Sequence, residues 1–96
     1  MEKIQAIIFN KHLNTLSSCL KWLHEHDFKF LKIHETTNYY RFRLIEPNIL
    51  KLQGYNIFRD KLFDENKKIY FIMAYKINNK HELIYDVDSK IYNLEA

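Results

Sequence analysis

Two short runs, residues 4–9 (IQAIIF) and 68–77 (KIYFIMAYKI), are almost wholly apolar and rich in Ile and aromatic residues. Neither is long enough for a buried helix, so each reads as a strand, the first of them central in a sheet. A chain of 96 residues that is 47% hydrophobic and 28% charged, with one Gly and one Pro, lies far from any disordered composition and has room for a single compact core. Nothing in it approaches an uninterrupted apolar run of about 18 residues, and the charged start Met1-Glu2-Lys3 leads into only a short apolar stretch. Neither a membrane span nor a secretory signal is expected, and the reading is a soluble, intracellular protein.

Between the two runs lies one amphipathic segment. Leu16, Cys19, Leu20 and Leu23 recur at the i, i+3, i+4, i+7 spacing of one helical face, with Asn14 or Thr15 as the N-cap. The spacing predicts a helix over 15–26, its stripe buried against the sheet and Trp22 at the edge of that stripe. Residues 28–45 read as a hairpin, with 28–34 and 38–45 as arms and 35–38 as the bend. With Thr36-Thr37 at the tip, Ile33 faces Tyr40 and Leu31 faces Phe42 on one side. Lys32 then faces Arg41 on the other side, with His34 against Tyr39 and Phe30 against Arg43. Pro47 closes the second arm, because it has no N–H for a ladder.

Residues 48–64 show no clean period and read as an irregular crossing segment with one helical turn. After the strand at 68–77, Asn78-Asn79 marks a turn before a weaker alternating strand at 81–87, and residues 89–96 are strand or helical turn. The fold class expected is α+β: a single two-layer sandwich over 1–96, one helix on a mainly antiparallel sheet, in the order β-α-β-β-β plus a C-terminal strand or extension. Gln5, Ile7, Phe9, Tyr70 and Ile72 are expected to leave a partly apolar outer face, which the C-terminal segment covers in part.

Charge is concentrated in the middle of the chain. The formal net charge is only +3, from 15 basic and 12 acidic residues. Residues 28–61, however, hold seven basic residues against three acids, and all three arginines fall there. Like charges across a ladder are destabilising, so the Arg41/Arg43 pair with Lys32 opposite calls for an anion. Guanidinium groups fork onto phosphate, and Phe30 and Tyr39 offer faces for a base. The candidate nucleic-acid-binding residues are therefore Lys32, Arg41, Arg43, Tyr39 and Phe30, with Lys29 and Arg59 at the margins. The alternative is that Glu46, Glu35, Asp86 or Asp88 neutralises the pair within the fold.

The segment KIHETTNYYRFR at 32–43, followed by Pro47, Phe58-Arg59 and Ala74-Tyr75-Lys76, resembles a small uncharacterised family of large double-stranded DNA viruses, similar to the N-terminal module of phage prohead-protease proteins. The matching order also takes in Ile7-Ile8-Phe9 and Trp22-Leu23, so the resemblance spans residues 4–77. Its most specific part is Lys-x-His-x-Thr-x-Asn-x-x-Arg-x-Arg. The sequence departs from the family in having Leu44 where a polar residue is usual and Ala74 where a Gly is usual, and residues 78–96 form an extension outside the match. The resemblance implies a viral setting, in the host cytoplasm, nucleus, viral factory or virion, and no protease nucleophile.

Other chemistries find little support. One cysteine, Cys19, excludes an internal disulfide and sits on the apolar helical stripe, where it reads as a small core residue. His24 and His26 are two apart on a helix and diverge, unlike the i, i+3 or i, i+4 spacing of metal ligands. No His and acid are arranged around Ser17 or Ser18. The expectation is a non-enzymatic viral accessory domain, without metal or cofactor, that binds nucleic acid through the basic hairpin face. The alternative is a protein-interaction module acting as a virion or assembly component with a viral or host protein partner.

Overall fold

The computed structural model describes residues 2–76 and 92–93. Strand β1 (Glu2–Asn10) leads to helix α1 (Leu16–Glu25), a hairpin of β2 (Lys32–Glu35) and β3 (Tyr39–Arg43), and a short helix α2 (Pro47–Leu52). The long strands β4 (Tyr55–Asp64) and β5 (Ile69–Lys76) follow, with a two-residue β6 (Tyr92–Asn93). The strands form one sheet in the order β2-β3-β1-β5-β4-β6, every neighbouring pair antiparallel, so the domain is α+β. The expected turn at 78–79 and strand at 81–87 lie outside the described residues. No helix among the described residues is long and apolar enough to cross a membrane.

The two apolar runs form β1 and β5, which lie side by side with a neighbour on each flank. Helix α1 begins where expected: Thr15 Oγ1 accepts from Ser18 N–H and Ser18 Oγ accepts from Thr15 N–H, a reciprocal cap. Its buried residues, Cys19 and Leu23, pack on Ile7, Phe9, Phe42, Ile69, Phe71 and Met73. Aromatic edges tighten this core, with Phe9 at 5.5 Å from both Trp22 and Phe42. The stripe is narrower than its spacing predicts, because Leu16 and Leu20 remain exposed at 38% and 39%.

Three expectations are corrected. Residues 48–64 are not an irregular crossing: they hold α2 and the ten-residue β4. Pro47 occupies the first turn of α2, and Gly54, at φ +94°, reverses the chain into β4, a conformation that a side chain would strain. Register shifts between Tyr55 and Ile57 and between Leu62 and Asp64 break the alternation of β4. Ile7 and Phe9 belong to the α1 side rather than the outer face, because β1 is irregular between Ile4 and Ala6 and the parity flips there. The hairpin pairs Lys32 with Arg43, Ile33 with Phe42 and His34 with Arg41, two residues away from the expected register. The turn decides this: Thr36 N–H donates to the Tyr39 carbonyl at 2.9 Å, and Thr36 Oγ1 accepts from Tyr39 N–H at 3.0 Å, which puts Thr37-Asn38 at the tip. A two-residue shift preserves parity, so Arg41 and Arg43 still point away from α1.

On that outer face α2 covers one end, where Leu50 packs with Tyr55 and Ala74 and with the partly buried Ile45 and Phe58. The basic residues lie beyond it, toward the β2 edge.

Candidate functional site

Two rows of ladder partners run across the outer face. One joins His34, Arg41, Ile8 and Tyr70; the other joins Lys32, Arg43, Ala6, Ile72 and Asp60. Lys32 and Arg43 are direct neighbours, and Glu46, immediately before α2, stands between them, 3.7 Å from Lys32 Nζ and 3.3 Å from Arg43 Nη1. Of the acids considered as internal counter-charges, Glu46 takes this role. Glu35 is engaged elsewhere, 2.6 Å from Lys11 Nζ, and Asp86 and Asp88 lie outside the described residues.

Arg41 forms no salt bridge among the described residues. Its Nη2 donates to Gln5 Oε1 at 3.2 Å, a neutral acceptor, while its Nε is buried and finds no acceptor among the described residues. Gln5 is held in turn by donating its Nε2 to the Ile45 carbonyl at 3.0 Å. Burial lowers the Arg41 pKa, repulsion from Arg43 lowers it further, and Asp60 partly opposes both. A guanidinium stays charged through such a shift, so the fold retains a partly desolvated cation with one buried donor unmet among the described residues.

Three concavities share Arg41 as a wall. The largest, about 430 Å³, is lined by Ile8, Thr36, Tyr39, Arg41, Asp60 and Tyr70. A second, about 180 Å³, lies among Lys32, Ile33, His34, Arg41 and Arg43. A third, about 210 Å³, adjoins α2 between Gln5, Arg41, Pro47, Lys51, Phe58 and Ile72. The arrangement offers donors for anionic oxygens next to the rings of Tyr39 and Tyr70.

Of the residues singled out from sequence, Lys32, Arg41, Arg43 and Tyr39 are thus brought together. Phe30 is not: it precedes the ladder and sets its ring 5.0 Å from Phe42, edge to face, on the α1 side. Arg59 pairs with Met73 of the α1-side core and holds its guanidinium 5.4 Å from the Tyr75 ring, so it too faces away from Arg41. Lys29 is exposed in the connection before β2, ahead of the ladder. Sequence reasoning missed Asp60 and the bond of Gln5 to Arg41. Both depend on a strand order that puts β1, β5 and β4 successively beside β3, and no local pattern encodes that order. Among the other groups, His26 stacks on Trp22 at 3.9 Å and places Nδ1 2.8 Å from the Trp22 carbonyl. Burial pushes the Cys19 thiol up to about 11, opposed by a backbone hydrogen bond, which keeps it a neutral core group at physiological pH.

Comparison with protein-family models, with curated proteins and with solved structures returns no match.

Proposed function

We propose that this protein is a non-enzymatic accessory domain of a large double-stranded DNA virus that binds single-stranded nucleic acid across the outer face of β2, β3 and β1. The observation that carries the reading is Arg41, a half-buried cation whose Nε has no acceptor among the described residues and whose side chain walls three adjoining concavities. A phosphate entering one of these concavities meets the Arg41 guanidinium, and Lys32 and Arg43 stand alongside for the next phosphates. The rings of Tyr39 and Tyr70 suit unstacked bases, which a single strand presents and a duplex does not. The viral setting rests on the sequence resemblance over residues 4–77.

Fluorescence anisotropy of a labelled oligothymidine against salt tests this. Three phosphate contacts give log K a slope against log salt of about −2 for a single strand. Replacing Arg41 and Arg43 together by Ala should remove roughly two contacts' worth of that slope, whereas replacing the exposed Lys21 of α1 and Lys67 of the β4–β5 turn should leave it unchanged. Equal losses from both pairs would make the attraction diffuse and refute the site.

One observation favours a second reading, a protein-interaction module acting in the virion or its assembly. Strand β2 is a sheet edge exposed along its whole length, with Ile33 43% exposed and Leu31, just before it, 62% exposed. Such an edge accepts an added strand. Absence of strand binding at low salt, with capture of a partner chain lost on Ile33→Lys, would select this reading.

A further inference from the structure

We infer that the cavity beside Arg41 is a base pocket that selects guanine through Asp60. The inference rests on the single-strand reading above and names what that strand carries. At about 430 Å³ the cavity falls within the range, about 300–1,000 Å³, of sites that hold a small organic ligand. Its two ends are chemically opposite. Arg41 on β3 offers donors at one end and the Asp60 carboxylate on β4 offers acceptors at the other, with Ile8 and Tyr70 on the strands between them and Tyr39 lining the cavity from β3. Strands β1 and β5 separate β3 from β4, so the two backbones stand about 14 Å apart at the usual strand spacing. Asp60 acts on Arg41 electrostatically across this space, yet the pair forms no salt bridge among the described residues. A flat ligand can therefore lie between them without displacing an ion pair.

What fits is a ring with hydrogen-bond donors on its far edge and an anion attached behind it, which describes a nucleotide. Among the bases, guanine alone presents two parallel donors, N1–H and the N2 amino group, to the two oxygens of a carboxylate. Adenine and cytosine set a ring nitrogen acceptor beside their amino group, and thymine flanks its single N–H with two carbonyls, so each turns a lone pair toward Asp60. Arg41 then takes the phosphate of the same nucleotide, and Tyr39 or Tyr70 stacks on its ring.

The test compares oligothymidines with guanine, inosine or thymine at one central position, by fluorescence anisotropy with the full chain. Inosine lacks only the N2 amino group, so the guanine strand should bind about tenfold more tightly than the inosine strand, the loss expected for one hydrogen bond to a charged group. Asp60→Asn, at an exposed position that tolerates the change, should make the guanine and inosine strands bind alike. Equal binding of these strands by the unaltered protein, or a guanine preference that survives Asp60→Asn, would overturn the inference and leave the single-strand reading standing. No binding of any strand at low salt would refute that reading and the inference together. Guanosine monophosphate as competitor separates the sources: it should displace the guanine strand only in large excess, and displacement at equal concentration would make the ligand a free nucleotide and overturn the assignment to a strand.

Discussion

Replacing Arg41 by Met asks whether this side chain serves the fold or a ligand. The thioether chain keeps much of the packing of the arginine stem and removes the charge. Two effects favour the variant: the unmet buried Nε, worth about 1–3 kcal/mol, disappears, and so does the repulsion from Arg43. Two effects oppose it: Gln5, itself buried, loses the donor to its Oε1, a loss of similar size, and the weaker attraction of Asp60 for the cation is lost as well. The sum lies near zero, and urea unfolding should place Arg41→Met within about 1 kcal/mol of the parent. Breaking a buried pair that stabilises the fold would instead cost about 3–5 kcal/mol. A saturating oligonucleotide adds the second arm. At about a hundredfold excess over its dissociation constant it should stabilise the parent by about 2.7 kcal/mol, and the variant by much less. A loss above about 2 kcal/mol in Arg41→Met, or equal stabilisation of both proteins by the strand, would show that the unmet donor is not reserved for a ligand.

What the sequence reveals of this fold follows from which signals are local. The 4–9 and 68–77 runs are legible as strands because β1 and β5 have neighbours on both flanks and little solvent face to mark with polar residues. The helix α1 is legible from its stripe and its Thr15 cap. Strand β4 is not, because two irregularities scramble its alternation, and a six-residue helix leaves too short a pattern to count. Alternation fixes the parity of the hairpin but not its register, since Ile33 meets an aromatic residue whether it faces Tyr40 or Phe42. The choice falls to Thr36, whose hydroxyl closes the turn on Tyr39.

The site divides along the same line. Lys32, Arg41, Arg43 and Tyr39 share one hairpin, and parity alone assembles them on one face. Phe30 and Arg59 were misplaced for opposite reasons. The first lies before the ladder, where parity says nothing, and the second lies on a strand whose faces were unreadable without its register. Asp60 enters only through the order β3-β1-β5-β4, a property of the whole chain. A basic hairpin was therefore visible in the sequence, while the acceptor that would give such a hairpin base selectivity was not.

Two further outcomes test the core beneath this face. Leu23→Ala should lower stability by about 2–5 kcal/mol, because Leu23 is 1% exposed, whereas Leu20→Ala at 39% exposure should cost less than about 1.5 kcal/mol; equal costs in urea unfolding would mean that α1 is rotated from the orientation described. The last outcome concerns Cys19, whose thiol burial raises to about 11. A thiol in the unfolded chain ionises near 8.5, so below that pH both states keep the proton and the thiol leaves stability unaffected by pH. Between about 8.5 and 11 the unfolded chain releases a proton that the folded chain holds, and stability falls with a slope of up to about 1.4 kcal/mol per pH unit. Unfolding free energies measured at pH 8, 9 and 10, values spanning about that interval, should show this decline in the parent and a shallower one in Cys19→Ala. An identical decline in both proteins would mean that the thiol ionises in the fold as easily as in water, and that the seat of Cys19 against Ile7, Phe9 and Phe42 is wetter than its burial says.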